Sequence, residues 1–311
     1  MILNNKWPMT LFLFTVFMSV FWGCVTAPKK LKMENISDTF AEGTIISTQT
    51  GEPLSFKDLL EELAEVQIIY IGEQHTNSHH HSVQLKVIKE FLKIDPNIVV
   101  GMEMFDRTYQ PILNQWSSGQ LDQRTFLQKV HWYANWKYNF ELYSGILNFI
   151  KENQIRLVGL NIPFHIPPKI ATGGIDSLSN EDKKHLPENI HTLDPAHRPY
   201  IEKIFNKHRV RGRENFEYFY EAQCVWEDIM AESIALNRHG DRMIVLTGNG
   251  HIIHKFGIPN RTHRRTKAPF KTIYTATIGS KTELSFADYI WLTPPEKNRH
   301  PNKMAVKRPN S

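Results

Sequence analysis

The chain has 311 residues, 41% of them apolar and 22% charged, enough for one large domain or two modest ones around a sizeable core. Its 37 basic residues against 32 acidic ones leave a formal charge of +5, and the excess sits largely in Arg261, Arg264, Arg265, Lys267 and a tail from Lys297 to Arg308. That distribution reads as a solvated basic face or as a weak attraction for anionic lipid or carboxylate groups. It excludes a nucleic-acid binder, which would spread basic and aromatic residues over a recognisable module.

The start, MILNNKWPMTLFLFTVFMSVFWGC, sets Lys6 ahead of an apolar stretch from Leu11 to Trp22 and places Gly23 directly before Cys24. This is the layout of a signal peptide over residues 1–23, too short and too early for a spanning helix of the mature fold. A cysteine just past the cleavage point resembles a bacterial lipobox, in which that cysteine is acylated, although Phe21 stands where the pattern has leucine. Plain secretion and an uncleaved anchor are the alternatives. The resemblance implies a lipid anchor on Cys24 and a place in the bacterial cell envelope, at the outer membrane. With Cys24 acylated, Cys224 is alone and no internal disulfide staples the domain. Residues 24–42, short of periodic apolar residues, read as a tether ahead of a domain at 43–292.

Four apolar runs then recur, each closing on glycine or asparagine and a polar group. Ile68 to Gly72 ends in Glu73 and His75, Ile98 to Met102 in Glu103, Arg156 to Leu160 in Asn161, and Met243 to Gly248 in His251. Continuous runs of this kind suit strands buried on both faces of a parallel sheet. Between the first two, Val83, Val87, Ile88, Phe91 and Leu92 recur at helical spacing and predict a crossover helix. Tyr143, Ile146, Leu147 and Ile150 predict another, and Phe216, Phe219, Trp226, Met230 and Ile234 a long one. The alternation predicts an α/β fold, a mainly parallel sheet flanked by helices. Residues 105–142 and 163–214 lack strand signals and read as helical insertions forming a lobe, and residues 293–311, rich in Pro and Lys, as a disordered tail.

In an open α/β sheet ligands collect beyond the carboxyl ends of the strands, and every polar group just named sits at such an end. Gly72-Glu73-Gln74-His75 and Gly248-Asn249-Gly250-His251 look like two versions of one device that turns the backbone sharply and sets a histidine past a strand. Taken singly each is a weak pattern, as common in capped structural histidines. Together with Glu73 and Glu103 they predict one site at a single rim. On the crossover helix His80 faces the core and needs a hydrogen-bond partner or a metal, with His81 to one side. Imidazole and carboxylate together suit a divalent metal, with a carboxylate left as general base, and the same groups without metal can shuttle protons. Gln223 lies in an apolar seam of the long helix, in a role supporting the site, as does Asn161; Glu227 and Asp228 fall on that helix's solvated or flanking side.

The ordered blocks GEQH with HH and Gln84, GMEMF with Gln110, LNIP, AQCVWEDIMA, and VLTGNGH with GIPNR, over roughly residues 65–275, resemble the ChaN-like haem-binding lipoprotein family, in a superfamily with the TIKI metalloproteases and TraB proteins. The family motifs fall on Glu73, His75, His80, His81, Glu103, Gln223, Gly248 and His251, with one departure: Glu227 stands where the family helix often has aspartate. The resemblance implies a lipid-anchored α/β protein with a helical lobe that binds haem and takes part in iron acquisition. It implies an axial ligand, for which the phenols of Tyr109, Tyr200, Tyr218 and Tyr220 are candidates, and propionate partners, for which Arg264 and Arg265 are. A haem face shared by two subunits, hence a homodimer, also belongs to this reading. The second reading is a metal-dependent, protease-like hydrolase with His75, His81, Glu103 and His251 as metal ligands and Glu73 or His80 as base.

Overall fold

A computed structural model of the chain describes Ile36, residues 39–207 and residues 212–296. The expected signal peptide, Cys24, most of the tether and the tail beyond residue 296 lie outside the described residues.

The strands form one eight-stranded sheet among the described residues. In chain order they are β1 (Ile45–Ser47), β2 (Pro53–Leu54), β3 (Ile68–Glu73), β4 (Val99–Asp106), β5 (Arg156–Asn161), β6 (Met243–Gly248), β7 (Phe270–Thr277) and β8 (Tyr289–Thr293). Across the sheet the order is β2-β1-β8-β7-β3-β6-β4-β5. Every pair from β8 to β5 is parallel, and β1 runs antiparallel to both β8 and β2. The helices are α1 (Phe56–Ala64), α2 (Ser78–Ile94), α3 (Gln110–Ser117), α4 (Gln123–Lys129), α5 (Trp132–Asn135), α6 (Glu141–Glu152), α7 (Ile166–Gly173), α8 (Asn180–Lys183), α9 (His197–Lys207), α10 (Phe216–Asn237) and α11 (Ile258–Thr266). The four strands expected from the continuous apolar runs are β3, β4, β5 and β6, and the three expected crossovers are α2, α6 and α10. The mainly parallel α/β sheet flanked by helices is therefore the architecture observed.

Those four runs are continuous because alternate side chains serve two cores. Ile69 and Ile71 of β3, Val100 and Met102 of β4, and Ile244 and Leu246 of β6 pack beneath α2 and α6. Their neighbours Ile68 and Tyr70, Val99, and Met243 and Val245 pack beneath α7, α10 and α11. Each aliphatic chain buried this way contributes about 1.5–3 kcal/mol, so the inner strands are held from both sides. The insertions at 105–142 and 163–214 are helical as expected, with α3 to α5 in the first and α7 to α9 in the second.

One boundary and four strands differ from expectation. Ile36 is fully buried and packs with Phe40 against Ile46, Ile290 and Leu292, so the chain joins the fold before residue 43; two isolated apolar residues carry no period to betray them. The strands β1, β2, β7 and β8 had no sequence signal strong enough to be assigned. They are short or interrupted by threonines whose hydroxyls find partners in the fold, as Thr275 does by donating to the Gly72 carbonyl at 2.7 Å.

Close approach fixes one glycine in the sheet. A Cβ on Gly159 of β5 would stand 2.7 Å from the Asp106 carbonyl oxygen, a backbone atom that cannot swing aside. Gly159→Ala should therefore cost about 1–3 kcal/mol, the range for overpacking, read as a lower urea midpoint with an unchanged slope.

Candidate functional site

Sheet alternation puts the two strand-end glutamates on opposite faces. Glu73 follows Ile69 and Ile71 toward α2 and α6, whereas Glu103 follows Val99 toward α10. Both are buried. Glu73 Oε1 accepts from the Tyr143 hydroxyl at 2.6 Å and lies 3.0 Å from His75 Nδ1. Its Oε2 accepts from Gln84 Nε2 at 2.9 Å and lies 3.2 Å from His81 Nε2. Burial alone would raise this carboxyl, but the imidazoles of His81 and His75 outweigh it and hold it down at about 2. Burial and the adjacent carboxylate push the Tyr143 phenol far up, so it stays a donor.

On the other face Glu103 Oε2 accepts from Thr247 Oγ1 at 2.6 Å and from the Gly248 amide at 2.7 Å. Its Oε1 lies 3.4 Å from His251 Nε2, and His251 Nδ1 lies 3.4 Å from Glu227 Oε1. Burial works against charge on His251, yet its two carboxylates prevail and raise it to about 10, while burial of Glu103 is outweighed by His251 and that carboxyl is held at about 2. Asn161 fixes this end of β4 by donating to the Glu103 carbonyl at 2.9 Å. Gln223 Nε2 donates to Glu227 Oε1 at 2.7 Å, so the two amides contact a carboxylate or its backbone at this end of the sheet.

Behind Glu227 lies a charge cluster that contradicts two expectations. Glu227 and Asp228 are not on a solvated side of α10: both are fully buried, as is Arg261. Arg261 Nε lies 3.2 Å from Glu227 Oε2, its Nη1 pairs with Asp228, and its Nη2 lies 3.3 Å from His197 Nδ1. The supposed basic face is thus partly interior. Arg265 reaches Asp228 Oδ1 at 2.8 Å and Arg264 lies 3.4 Å from Asp194 Oδ2, so both guanidinium groups named for propionates already face acids at the far side of α10 and α11. Cys224 is a free, buried thiol in the same cluster, pushed by burial up to about 11.

His75 crosses the carboxyl edge of the sheet between the two glutamates. The crossing needs Gly248, whose absent Cβ would lie 2.9 Å from His75 Cε1 and 3.2 Å from Nε2. Trp136 and Tyr138 wall the imidazole, with ring centroids 4.8 and 5.2 Å away. With Glu73 ionised, Nδ1 carries its proton and Nε2 faces a cleft of about 470 Å³ lined also by Glu103, Lys137, Phe164, His165 and Trp226. Burial opposes charge on His75, but Glu73 and Glu103 raise it above its ordinary value. The rim can accept or release a proton at His75 and bind a small polar group there. The other expected ligands turn elsewhere. His81 lies behind Glu73, its ring tilted 43° to that of Tyr143 with centroids 4.4 Å apart. His80 accepts from the Gln74 amide at 2.9 Å, which supplies the hydrogen-bond partner its burial demanded; burial and the neighbouring His81 hold it neutral, down at about 4. Among the described residues no group of three or more His, Cys, Asp and Glu side chains is arranged to hold a metal ion, because the acids are already saturated by the protein's own donors.

The four expected phenols are scattered. Tyr109 accepts from Asn135 Nδ2 at 3.1 Å. Tyr200 packs on His254 and Phe256, Tyr218 fills the space beside Gly174, and Tyr220 is buried against Phe216 and His197. A different tyrosine stands open. On the lobe, Arg124, Leu127, Gln128, His131, Trp132, Tyr133 and Ala134 line a groove of about 630 Å³, and Tyr133 is 55% exposed. Sequence reasoning passed over it because α5 has only four residues, between His131 and Lys137 in the left-handed region (φ 50° and 70°). No helical period survives there to tell an exposed aromatic from a buried one.

A sheet with a rim of saturated carboxylates and a helical lobe carrying an open aromatic groove defines the class of the molecule. The model of a family described as haem-binding uptake, Tiki superfamily, ChaN, matches residues 59–262, and the chain belongs to that family. Among solved structures, ChaN of Campylobacter jejuni, described as showing cofacial haem binding, has a TM-score of 0.64 at 20% identity, covering 79% of this chain and 95% of that one. The fold is shared. The erythromycin esterase EreC is more distant, with a TM-score of 0.45 at 14% identity over 73% of this chain and 74% of that one. Protein RETICULATA-RELATED 5, chloroplastic, of Arabidopsis thaliana is 23% identical over 164 residues, 49% of this chain; the match spans about a fifth, 21%, of that relative.

The shifts set a pH window. Glu73 and Glu103, held near 2, stabilise the fold above the ordinary carboxylate value of 4.5 and lose that contribution as pH falls toward 2. His251, held near 10, contributes fully below 6.5 and progressively less as pH rises toward 10. Melting temperature should therefore peak between pH 4.5 and 6.5 and fall on both sides. His251→Gln, which strands two buried carboxylates, should cost about 3–5 kcal/mol in urea denaturation and flatten the alkaline limb.

Proposed function

We propose that this chain binds haem in the groove on the helical lobe, with the Tyr133 phenol as the iron ligand and Arg124 as a propionate partner. Family membership supports haem as the ligand, and the observation that carries the site is an exposed phenol set on an apolar floor of Leu127, Trp132 and Ala134 with a guanidinium beside it. A phenolate is a hard donor suited to ferric iron, and the groove has the volume of a cofactor site. Arg124 makes no ion pair among the described residues, unlike Arg264 and Arg265. The residues fit the group. When bound, haem supplies a ferric centre; the protein's part is to ligate it, cover one face and neutralise its acids.

The same reading takes in the lipid anchor at Cys24, a place in the bacterial outer membrane and a role in iron acquisition. ChaN of Campylobacter jejuni is described as binding haem cofacially. An open groove suits such stacking, with a second copy of the chain closing over the haem face as a homodimer. A divalent metal at His75, Glu103, His251 and His81, as a hydrolase requires, would have to displace the hydrogen bonds and ion pairs that saturate Glu73 and Glu103. That reading is the weaker of the two.

Haemin titration of the purified full chain tests the site. The parent should show a phenolate-to-iron charge-transfer band, and Tyr133→Phe should lose the band and bind about tenfold more weakly, or about 1.4 kcal/mol. Unchanged binding and spectrum in Tyr133→Phe would remove Tyr133 from the site, and haemin uptake no better than serum albumin's generic binding would remove haem. Cys24→Ser should move the protein from the membrane fraction to the soluble one.

A further inference from the structure

Beside the sheet-rim cleft lies a second, narrower chamber of about 170 Å³ between α7 and α10. Phe164 and Trp226 line both spaces. Pro167, Pro168 and Ala171 of α7 and Phe219 and Ala222 of α10 make the chamber apolar. Two prolines in the first turn of α7 fix that wall's backbone, so the space is preformed. A dry cavity of about 150 Å³ accommodates a benzene ring, which sets the scale of what fits here.

Most polar groups around these two spaces are paired within the protein, Gln223 with Glu227, His75 with Glu73, Asn135 with Tyr109 and His165 with Asp182, but a cation at the chamber is not. Arg213, partly buried at the chamber, makes no hydrogen bond or ion pair among the described residues, whereas Arg107, Arg156 and Arg242 each meet a carboxylate. Lys137, exposed at the cleft, makes no ion pair among the described residues. The indole N–H of Trp226 is buried without an acceptor among the described residues, and a buried donor left unpaired is costly. Among the described residues, the one carboxylate lining the cleft, Glu103, is already filled by Thr247, Gly248 and His251. Unsatisfied donors beside an apolar chamber call for an apolar body carrying an anion.

The geometry points to a binding site for a small amphiphilic carboxylate, its aromatic or branched apolar body in the chamber walled by Phe164, Phe219 and Trp226 and its carboxylate at Arg213. This site is separate from the lobe groove and does not depend on haem. The carboxylate is that of a free acid; a haem propionate reaching in is the rival source, and displacement by haem would reveal it.

Saturation-transfer NMR and titration of the full chain with 3-phenylpropanoate and with 3-phenylpropanamide test it. The acid should bind at least tenfold more tightly than the amide, Arg213→Gln should erase most of that difference, and Ala222→Phe, which fills the chamber, should abolish binding of both. Circular dichroism of each variant separates loss of site from loss of fold; should Ala222→Phe not fold, the acid-to-amide ratio in Arg213→Gln decides alone. Saturating haem should leave the acid's affinity unchanged. Equal binding of acid and amide, parent-like affinity in Arg213→Gln, or displacement of the acid by haem would each overturn the assignment.

Discussion

The structure turns on the burial of carboxylates at one end of a parallel sheet. Glu73, Glu103, Glu227 and Asp228 are all taken out of water, and a buried carboxylate persists as an anion only where cations and donors replace its hydration. His81 and His75 serve Glu73, His251 stands between Glu103 and Glu227, and Arg261 closes the series against Glu227 and Asp228. Removing His251 or Arg261 would take a cation from two buried carboxylates at once. The two strand-end glycines follow from the same constraint: Gly72 makes room for Asn249 and Ile252, and Gly248 for His75.

Chain topology is what makes that arrangement reachable. β3 lies between β6 and β7, and the register pairs Glu73 with Gly248, so segments some 175 residues apart in sequence meet at one rim. Because β3 and β4 present their terminal glutamates to opposite faces, α2 with α6 can neutralise one and α10 with α11 the other. His75 is the one group that crosses between the two halves. It is also the one the solvent reaches, so the proton chemistry of the rim is expressed through a single imidazole.

Much of this was legible beforehand, and the reasons are physical. A strand buried on both faces reads as an unbroken apolar run, so β3, β4, β5 and β6 announced themselves, and each carried its terminal polar group into view. Helical spacing placed His80 and Gln84 on the core side of α2. What could not be read was pairing across distance. Nothing local to Glu227 and Asp228 says that Arg261 lies under them, and three basic residues in the run from Arg261 to Arg265 look like a wet surface until α11 is known to pack on α10. β7, partly exposed and interrupted by threonines, lacked the contrast that marks the inner strands, and β8, though buried throughout, is only five residues long. The left-handed turns flanking α5 likewise erased the period that would have set Tyr133 apart from Trp132.

That short helix carries one more implication. Ala134 contributes to the lobe groove on one side and to the sheet-rim cleft on the other, so the partition between two chambers of different chemistry is, at that point, a single residue thick. Neither compartment can be resized there alone. A bulkier residue would take volume from both, and engineering that aims to separate them has to work from their outer walls.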